Sequence, residues 1–269
     1  MPATCEVIIA AQTNVNAETD VLAAIAGTSL TTRSGWGRPK ITHAAFFTDT
    51  NDIARVWVVP SGYNDANGFS VECSSIYSAT TQIVPTEAEL PIPVEVPENC
   101  PLVISAQSET AANTAIQVWM MLEYPNGPGN FTACPTTGGL VKRNWESGAA
   151  ATSNIPYDGT AITDLQPGKM YKIVGCGKAA VNGETAGCVG PAYFGLNQKY
   201  TGGAIWFVPL LNNGVYATAS SSRGWIDFKD CHIKSPIIQG GTPFETRCVD
   251  FTAEQPQAVL QLAVDKPCI

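Results

Sequence analysis

Charge is what this 269-residue chain has least of: Asp, Glu, Lys and Arg make up 14% of it, against about 25% in ordinary soluble proteins. Gly (24), Pro (19) and abundant Ala, Thr, Ser and Asn stand in for it. A poorly charged surface solubilises badly, which leaves two expectations. Either neighbours in an assembly cover much of it, or it is the bland polar surface of a thermostable or secreted monomer. Such charge as there is leans acidic, with a net charge of −8. That argues against direct nucleic-acid binding, which needs clustered Lys and Arg to displace counterions; the densest basic stretch is only Lys142-Arg143. Long apolar runs are missing too. None approaches the roughly 20 residues needed to cross a bilayer. Met1–Glu6 has no basic residue and Val7–Ala11 is too short for a signal-peptide core, so synthesis in a cytosol is expected.

Chemistry is equally sparse. There are two histidines, His43 and His232, each in a segment that reads as a strand, and a structural role is expected of both. No Cys-X-X-Cys spacing suits zinc. No Gly-X-Ser-X-Gly elbow, phosphate-binding Gly-X-X-X-X-Gly-Lys loop or His-Glu-X-X-His helix occurs. Glu87 with Glu89, and Glu95 with Glu98, sit beside proline-rich strand ends and read as solvated rims. Asp49-Thr50-Asn51-Asp52 starts like a calcium loop but lacks the later Gly and Glu, and reads as a hairpin turn. No catalytic, cofactor-binding or metal-ligating residue emerges, and an enzyme is not expected.

What is present is repetition. Ala54-Arg55-Val56-Trp57-Val58-Val59-Pro60 is matched by Ala204-Ile205-Trp206-Phe207-Val208-Pro209. Ala45-Phe46-Phe47 precedes the first block and Ala192-Tyr193-Phe194 the second; Gly68-Phe69 and Gly224-Trp225 follow. Each half closes on an apolar run ending acid-X-Pro, Ile116 to Pro125 and Ala258 to Pro267. A period above about 100 residues is too long for a solenoid and indicates two copies of one domain. Nine cysteines are many for a cytosolic chain. Cys73 and Cys231 fall at comparable places after the matched glycines, and a small buried apolar role is expected, with disulfides the alternative in an oxidising setting.

Strand signals dominate both halves. Ile92-Pro93-Val94-Glu95-Val96 and Ile226-Asp227-Phe228-Lys229 alternate apolar and polar, while Val56–Val59, Ile116–Leu122 and Ala204–Val208 are apolar on both faces. Turn residues punctuate them at sandwich-like spacing. Pro91 and Pro93 cannot donate to a ladder, so their strand is expected at an edge or in a bulge. The best helix candidate is Ala17–Ala26, capped by Asn16 and ended by Gly27, with a first strand as the alternative. The expected fold is therefore all-β: two tandem antiparallel β-sandwiches of jelly-roll type with few short helices, over 1–125 and 140–269, joined by a linker at 126–139. Connection order, jelly roll or immunoglobulin-like, is open.

Trp57 and Trp206 are expected as matched core residues. Trp36, flanked by Gly35 and Gly37, and Trp145 read as loop tryptophans. Each is either a plug under its loop or, if exposed, a sugar-stacking platform or interface anchor. Tandem β-domains, blunted edges, low charge and no catalytic set resemble the double jelly-roll major capsid proteins of icosahedral bacterial and archaeal viruses. That resemblance implies a virion protein that self-assembles as pseudo-hexameric trimers in contact with neighbouring capsomers and other virion proteins, made in the host cytoplasm. Trp36 and Trp145 would be its assembly candidates, with no cofactor, nucleic acid or membrane span. A capsid-decorating cement protein, or a carbohydrate-binding adhesive protein, is the alternative.

Overall fold

The computed structural model describes residues 3–15, 20–48, 54–62, 69–73, 89–108, 114–135, 138–146, 155–179, 192–210, 225–250 and 257–265. The chain divides into two compact units, Glu6–Gly127 and Pro128–Ile269, the latter joined by Met1–Cys5.

The amino-terminal unit is built from β1 (Thr4–Val15), β2 (Asp20–Val21), β3 (Ala23–Ala24), β4 (Lys40–Thr48), β5 (Ala54–Pro60), β6 (Phe69–Cys73), β7 (Glu89–Glu95), β8 (Leu102–Ser108) and β9 (Thr114–Tyr124). They form two antiparallel sheets, β3-β1-β9-β4-β7 and β2-β8-β5-β6. Val56 and Val58 of β5, Ile104 and Ala106 of β8, Ile8 and Ala10 of β1, and Val118, Met120 and Leu122 of β9 meet in one core. Alternation decides the faces. On β5, Val56 and Val58 point inward, while Trp57 and Val59 are only half-buried on the opposite face.

The carboxy-terminal unit contains β10 (Phe131–Thr132), β11 (Gly139–Glu146), β12 (Tyr157–Asp158), β13 (Met170–Ala179), β14 (Ala192–Leu196), β15 (Phe207–Leu210), β16 (Trp225–Asp227), β17 (Ser235–Pro236), β18 (Ile238–Gln239), β19 (Thr246–Asp250) and β20 (Gln257–Asp265), with a 3₁₀ turn at Gln198–Tyr200. Its main sheets are β11-β20-β13-β16 and β12-β19-β14-β15; β18 also pairs with β13, and β10 pairs with β17. β14 and β15 are buried along their whole length.

Setting aside the short β3, β10, β17 and β18 and counting the remaining strands of each unit from one to eight, both units give the orders 1-8-3-6 and 2-7-4-5. Eight antiparallel strands in two sheets, with paired Greek-key crossings, make a jelly roll. The connection order left open by the sequence is thereby decided, twice.

The two units share a strand order, but the blocks matched in the sequence are displaced by one strand through the middle. Trp57 lies in β5, the fourth strand of its unit, whereas Trp206 leads into β15, the fifth. Ala45-Phe46-Phe47 lies in a third strand and Ala192-Tyr193-Phe194 in a fourth. Only the closing runs, β9 and β20, occupy the same place, each the eighth strand lying between the first and the third. Trp206 is fully buried, but Trp57 is not, so the two are not matched core residues. Cys73 and Cys231 are likewise not equivalent: Cys73 ends β6, and Cys231 lies in the turn after β16.

Three local expectations are corrected. The helix candidate at 17–26 gives, over its described residues, the short strands β2 and β3, with Leu22 N–H donating to Ile104 O at 2.8 Å and Ile25 N–H to Ile9 O at 2.9 Å. Two sheets claim its backbone, and the left-handed Ala26 and Gly27 end it. The stretch 126–139 contains a strand, β10, whose Phe131 exchanges backbone bonds with Ala3 at 3.0 and 3.4 Å. His232 sits in a turn with φ 51°, not in a strand.

The proline expectation holds. β7 is the edge of its sheet. Its register against β4 pairs Ile41 with Val94 and then His43 with Glu89, so β7 carries three surplus residues opposite that step. Leu90, Pro91, Ile92 and Pro93 fill the bulge.

Candidate assembly surfaces

Trp36 lies in the loop between β3 and β4, held from several directions. Its ring meets Tyr124 edge-on at 5.3 Å, and the Arg33 guanidinium lies over it at 5.3 Å. Arg33 donates from Nε and Nη2 to Glu6 Oε1 at 2.8 and 2.6 Å, and its backbone N–H donates to the Tyr124 hydroxyl at 2.9 Å. The glycines around Trp36 have a physical cause. Gly35 and Gly37 both have φ 80°, which turns their N–H groups onto the Glu98 carboxylate. A Cβ on Gly37 would stand 2.8 Å from Pro125 Cγ. Burial raises the Tyr124 phenol well above its usual range, opposed by the Arg33 N–H. The hydrogen bond to Glu6 raises the Arg33 guanidinium further. Trp36 is thus a half-buried residue locked into the end of its unit, with one face taken by a guanidinium.

Trp145 is not in a loop. It lies in β11, is 3% exposed, stacks edge-on against Phe194 at 5.2 Å and donates Nε1–H to Thr246 Oγ1 at 2.6 Å. It is a core residue of the carboxy-terminal unit, and Gly159 is small because any Cβ there would strike the Trp145 ring.

The residues screened for chemistry are dispersed. His43, on β4, is buried beside Trp119, and its Nδ1 lies 2.8 Å from Thr42 Oγ1. Glu95 is exposed and faces Arg38 at 3.6 Å, while Glu98 fills the glycine nest. Glu87 and Asp49–Asp52 lie outside the described residues. Among the described residues, no three His, Cys, Asp or Glu side chains converge as a metal-ligating group. Cys5, Cys100, Cys176, Cys231 and Cys248 are buried, as expected of cysteines in a small apolar role.

Two surface features escaped the sequence reading. The first is the β7 bulge, where Ile92 is 78% exposed between two exposed prolines. The Pro-Ile-Pro motif was its signal, but read as an edge device it said nothing about a protruding apolar tip. The second is a concavity of about 280 Å³ in the carboxy-terminal unit, between Cys134, Pro135 and Gly138 and the outward side chains Leu140, Val174 and Ala263 of the β11-β20-β13-β16 sheet. Lys229 and Asp227 stand at its side. Lys172 Nζ ties the overlying segment down through Ala133 O at 3.3 Å. Burial pushes the half-buried Cys134 thiol up to about 11, with Asp227 adding to the rise and Lys172 and Lys229 opposing it.

No protein-family model matches the chain, and no curated protein matches it. Among solved structures, the major capsid protein of bacteriophage PM2 overlaps it at 12% identity and a TM-score of 0.23, covering 98% of this chain and 99% of that one. A structure of Sulfolobus turreted icosahedral virus overlaps at 10% identity and 0.22, covering 97% and 80%. A vicilin from Solanum melongena overlaps at 10% identity and 0.16, covering 93% and 75%. Superposition at this level is too poor to argue from, so the functional reading rests on the chain's own topology.

Proposed function

We propose that this protein is a virion structural protein, a major capsid protein whose trimers build an icosahedral shell. The observation that carries the reading is the strand order 1-8-3-6 with 2-7-4-5, occurring twice in one chain. Three such chains around a threefold axis present six similar jelly rolls, so one gene product can occupy a sixfold position while its two halves diverge toward different neighbours. Low charge fits a surface covered by copies of itself, and a proline-blunted edge limits unplanned strand pairing. The partners are other copies of the chain, neighbouring capsomers and further virion proteins. The working location is the virion, after synthesis in the host cytoplasm. Function here is association: many weak symmetric contacts whose buried areas add up.

Light scattering coupled to size exclusion, followed by negative-stain microscopy, tests this. Trimers or closed shells are expected. A protein that stays monomeric at every concentration up to the millimolar range overturns the reading.

A further inference from the structure

We propose that the Ile92 bulge of one copy seats in the concavity beside Cys134 of the next, making a head-to-tail contact between the amino-terminal unit of one chain and the carboxy-terminal unit of another; this rests on the assembly reading above. Five observations converge on it. Ile92 is 78% exposed, unburied by its own unit. Pro91 and Pro93 fix φ on either side of it, so the tip is rigid before contact and loses little entropy on docking. The concavity holds about 280 Å³, small for metabolite sites, which start near 300 Å³, but ample for one branched aliphatic side chain with a proline beside it. Its walls are apolar where such a side chain would sit: Leu140, itself 62% exposed and otherwise without a use on the surface, with Pro135, Val174 and Ala263.

Charge supplies the register. The bulge is bracketed in sequence by Glu89 and Glu95; the latter is exposed and faces Arg38 at 3.6 Å, a surface pair weak enough to exchange for another cation. The concavity has Lys229 at its side and the exposed Lys142 two residues along β11 from Leu140. Asp227 also lines the concavity and keeps its charge, its Oδ1 accepting the Lys229 backbone N–H at 2.9 Å, so the two lysines outnumber one acid there. A knob and a socket on different parts of one chain make a heterologous contact, which closes into a ring when the rotation between copies permits. A second copy is therefore the occupant, because only a copy is guaranteed to bring the matching tip.

Cys134 makes the contact directly testable. In the full-length protein, Ile92→Cys treated with copper–phenanthroline should give disulfide-linked oligomers whose peptide map joins positions 92 and 134, and adding Cys134→Ser should abolish them. Ile92→Asp, at an exposed site that leaves the fold intact, should weaken association by roughly tenfold or more, as expected for loss of a central anchor. Wild-type oligomers should also slow alkylation of Cys134 relative to diluted monomer. If the wild type oligomerises and Ile92→Asp oligomerises equally well, or the cross-link forms without Cys134, this contact is wrong and the assembly reading stands. If the wild type is monomeric throughout, both fall.

Discussion

Trp145 and Thr246 form a short hydrogen-bonded relay: the indole N–H donates to Thr246 Oγ1 at 2.6 Å, and that hydroxyl donates to Thr160 O at 3.1 Å. Thr246→Val removes the middle of the relay and strands the Trp145 indole N–H in the core. It should lower unfolding stability by about 1–3 kcal/mol, read as a shift in the urea midpoint. In the other unit, Tyr124→Phe removes the acceptor of the Arg33 N–H and should cost about 1–2 kcal/mol by the same measurement. Cys134 gives a pH prediction. Its thiol ionises near 11 in the folded chain and near the ordinary 9.0 once unfolded. Between those values the unfolded chain has lost a proton that the native one keeps. Its contribution to stability is therefore constant below pH 9 and is lost as pH climbs from 9 through 11. Alkylation of Cys134 in the native protein should accelerate only as pH approaches 11; a rise centred at pH 9 would contradict the burial described. Trp36 and Trp145 looked alike in sequence because both stand among small or polar residues. Which one a strand would carry inward was not written locally.

At the level of elements, the edge strand is the clearest case of a rule legible in residues. Two prolines two apart cannot both sit in a continuous ladder, and β7 answers with an edge position and a bulge. Replacing both, as in Pro91→Thr with Pro93→Thr, restores two donors to an exposed edge. The variant should aggregate faster on warming, visible as light scattering below the wild-type onset temperature. The segment 17–26 shows the opposite limit. Its alanines and leucine favour a helix, yet the Leu22 and Ile25 amides bond to Ile104 and Ile9 from two different sheets. Propensity is worth tenths of a kcal/mol per residue, about 0.7 at most for ordinary residues, and partners distant in sequence outweigh it.

For the whole molecule, the first residues of the chain belong with its second half. Ala3 pairs with Phe131, and Thr4 Oγ1 accepts the Gly129 N–H at 2.7 Å. Deleting residues 1–5 should therefore destabilise the carboxy-terminal unit selectively. Calorimetry or unit-resolved hydrogen exchange would show protection falling around Phe131 while β4 and β9 keep theirs. The all-β class and the blunted edge were determined by the sequence itself, because alternation, turn residues and proline act over a few neighbours. The strand order, the one-strand displacement of the apparent repeat, the burial of Trp145 and the meeting of Thr4 with Gly129 were decided only by tertiary structure. Each depends on which distant segment supplies the partner hydrogen bonds and the opposing apolar face, and no local pattern encodes that choice.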